Sequence, residues 1–351
     1  MSAFIITALV VLVFIVIYQI ARAGELATIL KGEEKVAAST NKFMAWFWVA
    51  FFILGMIGIY KCHQYLMPMM LPESASLEGR NYDQMMFITL CITGAVFLAT
   101  HIMLFFFAFK YQAREGRKAY FYSHNNKLEV LWTTIPALVL LVLVVFGLKN
   151  WMSITSKAPD NALVVEVVGK QFNFIVRYPG PDGVFGQKNF RLISDVNNPL
   201  GLDWNDKASH DDIIIETGEL HIIKDVPAKL VLGSRDVIHN VGLSHFRFKM
   251  DCVPGIVTTM WFTPTITSDE MKEITKNPNF VYEIACSEMC GKSHFSMRGT
   301  VIVQTQEDYD TWIKEQKSYY KSIVNPTAEA AAPAAETPAV VDTLNTTASV
   351  N

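Results

Sequence analysis

Four long apolar runs occupy the first part of the chain, at 3–21, 43–60, 85–109 and 130–148. Each falls near the ~17–25 residues that an apolar helix needs to cross a bilayer. They predict four transmembrane helices, arranged as an N-terminal hairpin (1–65) and a second hairpin (84–152). Pro136, with Thr133 and Thr134 beside it, is tolerable in the fourth run, because neighbouring helices can satisfy a locally freed backbone.

Past residue 155 the period changes. Short runs rich in Val, Ile, Phe and Thr follow at Ala162–Val168, Gln171–Tyr178, Asp212–Glu216, Glu219–Lys224, Ala228–Leu232, Val257–Thr263, Phe280–Ala285 and Gly299–Gln304. Several are bounded by Gly, Pro, Asn or Asp, the pattern of an antiparallel sandwich or barrel. This predicts a β domain over 158–325. Residues 180–211 read as an insertion, a length uncommon for a loop unless it is functional or disordered. Glu307–Ile323 reads as one amphipathic helix, and 326–351, biased to Ala, Thr, Pro and Val, as a disordered tail.

Charge sets the orientation. Arg22, Lys31, Lys35 and Lys42 occupy the expected loop 22–42, and Lys110, Arg114, Arg117, Lys118 and Lys127 the loop 110–127. Loop 62–83 carries only Arg80 among Lys and Arg past Lys61. The positive-inside rule makes the two basic loops cytoplasmic and puts the β domain outside. Ala21-Arg22-Ala23 looks like a signal-peptide cleavage site, but no basic segment precedes the first run. Cleavage would also leave three spans and deliver the β domain to the cytoplasm, so the first helix is expected to be retained. Composition fits a membrane anchor, with 51% hydrophobic and 18% charged residues. A net charge of −3 shows no nucleic-acid footprint.

Of five cysteines, Cys62 and Cys91 lie at or inside apolar runs and read as packing residues, and Cys252 sits in a strand-like stretch with no ligand role. No C-x-x-C-H sequence occurs, so no covalently attached haem is expected. Cys286, Cys290, His294 and Met297 stand apart, in a C-x3-C-x3-H-x2-M array, with a second imidazole upstream at His239. Thiolate, imidazole and thioether are the ligands that soft, redox-active copper selects. Structural zinc could take Cys2His2, but it does not call for a methionine. One copper of the blue type needs a single cysteine; two cysteines, two histidines and a methionine suffice for two coppers bridged by both sulfurs.

Residues 286–297 and 236–239 resemble the dinuclear copper A site of subunit II of haem-copper cytochrome c oxidases. The resemblance extends to Lys127–Pro136, Gly169–Phe174 and Asp251–Gly255, covering about 84–325 in all. It implies a membrane-anchored chain in which the helices precede an all-β, cupredoxin-like Greek-key barrel, with 84–152 as the core hairpin. Each copper would take both cysteines and one histidine. Met297 would complete one copper, and the backbone carbonyl of Glu288 the other.

The Glu288 side chain would turn to a magnesium or manganese ion shared with subunit I. Glu129 would stand at the mouth of a proton channel of that subunit, although an acid at a helix N-terminus is also favoured by the dipole. Phe172 occupies the position where the family carries a tryptophan that receives electrons, and keeps an apolar but smaller platform. The implied partners are subunit I, other oxidase subunits, lipid and a cytochrome c donor. The smaller platform suggests a donor that is membrane-bound or permanently associated. The insertion and its flank hold Asp182, Asp195, Asp203, Asp206, Asp211 and Asp212 against Lys188, Arg191 and Lys207, which suits a basic donor face. The implied setting is a bacterial-type inner membrane, with the copper domain on its periplasmic side. A copper-delivery protein also uses C-x3-C and a distal histidine, but fits poorly with four spans and a further His and Met. His101, inside the third run, is expected to bond another helix as the neutral imidazole; His245 reads as structural.

Overall fold

The computed structural model describes residues 2–114 and 116–324, so the expected tail at 326–351 lies outside the described residues. The chain divides into two compact units, residues 1–74 with 80–152, and residues 75–79 with the chain from 153 onward.

The first unit holds α1 (Ser2–Lys31), α2 (Glu33–Leu66), most of α3 (Leu77–Lys110) and most of α4 (Asn126–Thr155). All four are long and apolar enough to cross a membrane, and their most apolar windows are at most 6% buried. That much exposed Leu, Ile, Val and Phe requires lipid or partner helices around it. The expected loop 22–42 is helical apart from Gly32. Its Ala, Glu, Leu and Lys residues are strong helix formers, so polarity there marks where the helix leaves the bilayer rather than where it ends. Trp46 meets Phe109 edge-on at 5.0 Å and Phe52 meets Phe105 at 5.1 Å, seating α2 on α3. His101 does not reach another helix: its Nδ1 lies 2.8 Å from the Phe97 carbonyl one turn back on α3. A local acceptor is closer to hand in a helix than any distant one.

Among the described residues of the second unit, ten strands form two sheets: β1 (Leu163–Lys170), β2 (Asn173–Tyr178), β3 (Ile213–Ile215), β4 (Glu219–Ile223), β5 (Ala228–Ser234), β6 (His239–Leu243), β7 (Phe248–Cys252), β8 (Thr258–Phe262), β9 (Tyr282–Ala285) and β10 (Arg298–Gln304). The sheet orders are β3-β2-β1-β5-β8 and β4-β10-β9-β6-β7. Two pairings, β1 with β5 and β4 with β10, are parallel, so the sheets are mixed rather than purely antiparallel. Inward residues such as Phe174, Leu220, Ile222, Leu230, Val241 and Ile284 are fully buried and form the core. Tyr178 on β2 joins the sheets: its hydroxyl accepts from His221 N at 2.6 Å on β4 and donates to His221 O at 3.1 Å.

β6 and β7 escape the sequence pattern because Asn240, Gly242, Lys249 and Asp251 dilute the apolar period. A short helix α5 (Ser268–Thr275) was also not expected. Its signal is the Thr267–Glu270 capping box, in which each side chain accepts from the other residue's backbone N–H. The expected helix 307–323 is two, α6 (Gln306–Glu315) and α7 (Tyr319–Ile323), because Ser318 caps a new start by accepting from Lys321 N.

The segment 180–211 packs onto the first sheet, burying Leu200 and Leu202 against Val168, Ile175 and Ile214. Of its acids and their flank, only Asp182 and Asp195 are exposed. Asp206 accepts from Gln187 N and Ala208 N, and Asp212 pairs with Arg177 inside the unit. The expected acidic face therefore shrinks, since most of these carboxylates serve backbone N–H groups or a buried cation. Residues 75–79, which run into the first turn of α3, are stitched into the same unit: Ser76 Oγ donates to Phe246 O at 2.7 Å, and Glu78 accepts from Thr263 N at 2.7 Å.

Candidate metal centre

His239 is the first residue of β6, and Cys286 directly follows β9. The loop from Cys286 to Met297 closes on itself, with Cys286 N donating to Met297 O at 3.2 Å. This brings all the sulfur and imidazole candidates together. Cys286 Sγ and Cys290 Sγ are 3.9 Å apart, a gap that two metal–thiolate bonds of about 2.3 Å can span. His239 Nδ1 lies 4.0 Å from Cys286 Sγ, and His294 Nδ1 lies 3.6 Å from Cys290 Sγ. Met297 Sδ is 3.7 Å from Cys290 Sγ, and the Glu288 carbonyl oxygen is 3.2 Å from Cys286 Sγ. His239, Cys290 and Met297 are buried, whereas the Glu288 side chain is exposed.

Both cysteines are free thiols. Burial, and next the neighbouring Cys286, push the Cys290 thiol up to about 11. A bound ion must therefore displace its proton, so metal binding releases protons here. The donor set fits copper: two soft sulfurs within bridging distance, one imidazole for each sulfur, and a thioether and a carbonyl at the flanks.

The surroundings hold these donors in place. Asp236 Oδ1 takes a hydrogen bond from His239 Nε2 at 2.7 Å, which leaves Nδ1 as the ring nitrogen facing the sulfurs. Asp236 Oδ2 accepts from Gln171 N at 2.8 Å, and the Gln171 side-chain amide donates to Cys290 O at 2.5 Å. Gln171 and Asp236 thus bridge the His239 side of the site to the cysteine loop. Burial acts to raise the Asp236 carboxyl, but hydrogen bonds from Gln171 N, His239 and Val237 N outweigh it and hold the group below the usual carboxylate range. Neither residue was singled out as a support from sequence; the readable signal is the D-x-x-H spacing of Asp236 and His239.

Two glycines allow the close approach. A Cβ at Gly169 would lie 2.8 Å from the His239 ring, and one at Gly291 (φ +138°) would lie 2.9 Å from Gln171 Nε2 and from the Phe172 ring. Phe172 is half-buried against the loop at Gly291. Cys252 pairs in register with His239 but is fully buried, and burial pushes its thiol up to about 12.

Glu129 lies elsewhere, in the first turn of α4. Its Oε1 accepts from Asn125 N at 3.4 Å, while Asn125 Oδ1 accepts from Leu128 N at 3.2 Å. It is exposed and takes part in capping the helix.

Membrane helices followed by a two-sheet domain, with a sulfur–imidazole cluster on the loop after β9, define a membrane-anchored redox protein of the copper type. Residues 64–149 match the family described as Cytochrome C oxidase subunit II, transmembrane domain, and 206–305 match Cytochrome C oxidase subunit II, periplasmic domain. The alternative cytochrome c oxidase subunit 2 of Bradyrhizobium diazoefficiens is 35% identical over 237 residues, covering 68% of this chain and 80% of that protein. The cytochrome c oxidase subunit 2 of Thermostichus vulcanus is 26% identical, covering 73% of this chain and 81% of that one. A crystal structure of the periplasmic domain of subunit II of the Bradyrhizobium japonicum cytochrome oxidase aligns at a TM-score of 0.31 and 22% identity, covering 48% of this chain and 99% of that domain.

The chain belongs to the cytochrome c oxidase subunit II family. It is the electron-receiving subunit of an oxidase complex, anchored in a membrane with a cupredoxin-like domain on the periplasmic side, and the copper-delivery alternative is set aside.

Proposed function

We propose that this chain binds two copper ions between Cys286, Cys290, His239 and His294, with Met297 and the Glu288 carbonyl at the flanks, and receives electrons there from a cytochrome c. The observation that carries the reading is the pair of thiols 3.9 Å apart, each beside an imidazole. A copper pair held this way supplies one-electron transfer. The chain's own part is to keep the donors nearly fixed: Asp236 orients His239, Gln171 ties Asp236 to Cys290, and the paired strands β9 and β10 hold the loop ends. Fixed donors keep the reorganisation cost of each electron transfer low. Electrons then pass to haem in subunit I, where dioxygen is reduced to water.

The exposed Glu288 carboxylate is available to a magnesium or manganese ion at the boundary with subunit I, oxygen donors being what such cations prefer. Around the loop, Met289 and Phe295 are 76% and 81% exposed, an apolar surface suited to docking other oxidase subunits or the donor. The membrane is taken as a bacterial inner membrane. By their charge the basic segments 22–42 and 110–127 fall on the cytoplasmic side.

Rapid mixing of the assembled oxidase with reduced cytochrome c tests this reading. One electron per chain should be taken up at the copper pair, and Phe172→Ala should slow that step several-fold by removing an aromatic contact at the loop. An unchanged rate would remove Phe172 from the electron path.

Glu129 is proposed to feed protons to subunit I as well as to cap α4. In the assembled oxidase, Glu129→Gln should then lower oxygen turnover while leaving copper reduction unaffected. Equal turnover in the two enzymes would leave only the cap.

A further inference from the structure

We propose that the cytoplasmic ends of α2 and α3 form a binding site for the phosphodiester headgroup of an anionic phospholipid. A cavity of about 440 Å3 opens there, lined by Lys42 and Trp46 from α2 and by Phe109, Gln112 and Arg114 from the end of α3 and the residues after it. That volume lies in the range of small-ligand sites.

Its depth is set by the chain. Lys42 immediately precedes the apolar run 43–60, and Phe109 ends the run 85–109, so both rims meet the membrane where hydrocarbon gives way to headgroups. Its walls are tied together. Trp46 packs edge-on to Phe109 at 5.0 Å, the Asn41 amide donates to Ala113 O at 3.4 Å, and Gln112 Nε2 donates to Phe109 O at 2.8 Å.

Among the described residues, neither Lys42 nor Arg114 is ion-paired, so the cavity carries two cations without a counter-charge. A guanidinium fork and an ammonium lining one cavity suit a phosphodiester. The indole of Trp46 at this level adds an amphipathic wall of the kind favoured at headgroups. A basic pocket between helices on the cytoplasmic side has the chemistry that holds anionic headgroups. A soluble phosphate is also an anion, but it gains nothing from the apolar helix surface below, where acyl chains can lie. The site belongs to the pairing of α2 with α3, and it is independent of the copper centre.

The test uses the full-length chain in phosphatidylcholine nanodiscs containing increasing fractions of brominated phosphatidylglycerol. The signal of Trp46 is read as the tryptophan quenching that Trp46→Phe removes. Half-quenching should come at a phosphatidylglycerol fraction roughly thirtyfold below that needed with brominated phosphatidylcholine, the preference expected of two basic side chains. Lys42→Gln with Arg114→Gln should abolish the preference, while Lys42→Arg with Arg114→Lys should keep most of it and show that the fold is intact. Equal quenching by the two lipids, or a preference that survives the double glutamine variant, would overturn the proposal. Release of the bound lipid by millimolar glycerol phosphate would overturn it in favour of a free phosphate ligand.

Discussion

Cys286→Ser or Cys290→Ser in the purified full-length chain should lower its copper content from two ions to at most one and abolish the spectrum of an electron shared between two coppers. The two sulfurs lie 3.9 Å apart with an imidazole beside each, so in the proposed copper pair either thiolate would contribute to both ions. A serine hydroxyl is a hard donor and a poor ligand for soft copper. Affinity should fall more than about a hundredfold, since loss of a mere outer partner of a metal ligand already costs roughly 10–100-fold. Met297→Leu should differ in kind, retaining both ions with a shifted potential, because a weak thioether tunes more than it holds. Cys252→Ser is the control: Cys252 pairs with His239 in the sheet yet is fully buried, and its loss should leave the copper count unchanged. Metal analysis and electron paramagnetic resonance read all of these. A wild-type chain with one copper and a blue-copper spectrum would defeat the dinuclear assignment.

Arg177→Met should destabilise the β unit by about 3–5 kcal/mol, which is what breaking a buried ion pair from one side costs. The Arg177 guanidinium is 1% exposed and reaches Glu166 at 3.0 Å, Asp212 at 2.8 Å and the Gly186 carbonyl at 2.5 Å. Lys188 pairs with Glu166 from the other side, and Gly186 N donates to Asp212. Removing the guanidinium leaves the buried Asp212 without a counter-charge, takes one of the two cations from Glu166, and loosens the 180–211 segment that they hold. Thermal unfolding should fall by roughly 10 °C or more.

The pH dependence has a definite sign. Burial raises the Asp212 carboxyl above its ordinary value even with Arg177 opposing it. A carboxyl whose folded-state pKa is raised binds more protons in the native state, so its contribution is lost as pH rises through the folded pKa. Without Arg177 that tendency must grow, so the Arg177→Met deficit should be larger at neutral pH than near pH 5. A deficit independent of pH would mean that the lost contacts, not the stranded charge, set the cost.

Arg177 also shows where sequence reading stops. In the run Asn173–Tyr178 it looks like an outward strand position, and nothing local announces partners on β1, in the insertion and just before β3. The four apolar helices were legible, because lipid imposes a length and a composition that the chain must carry locally. Their ends were not, since helix formers continue past the bilayer in 22–42. The strands β6 and β7 were lost to polar residues, yet β6 is the element that carries His239.

The sequence by itself determined the membrane anchoring, the change to β structure and the identity of the sulfur and imidazole donors, because each depends on residue type and short spacing. Tertiary structure decided that His239 meets Cys286 and that Asp236 and Gln171 brace the pair. It also turned most acids of the insertion inward and left Lys42 and Arg114 facing one cavity. These outcomes depend on how strands pair and how helices pack. Register and packing are chosen by the free energy of the whole unit, so no local stretch of sequence displays them.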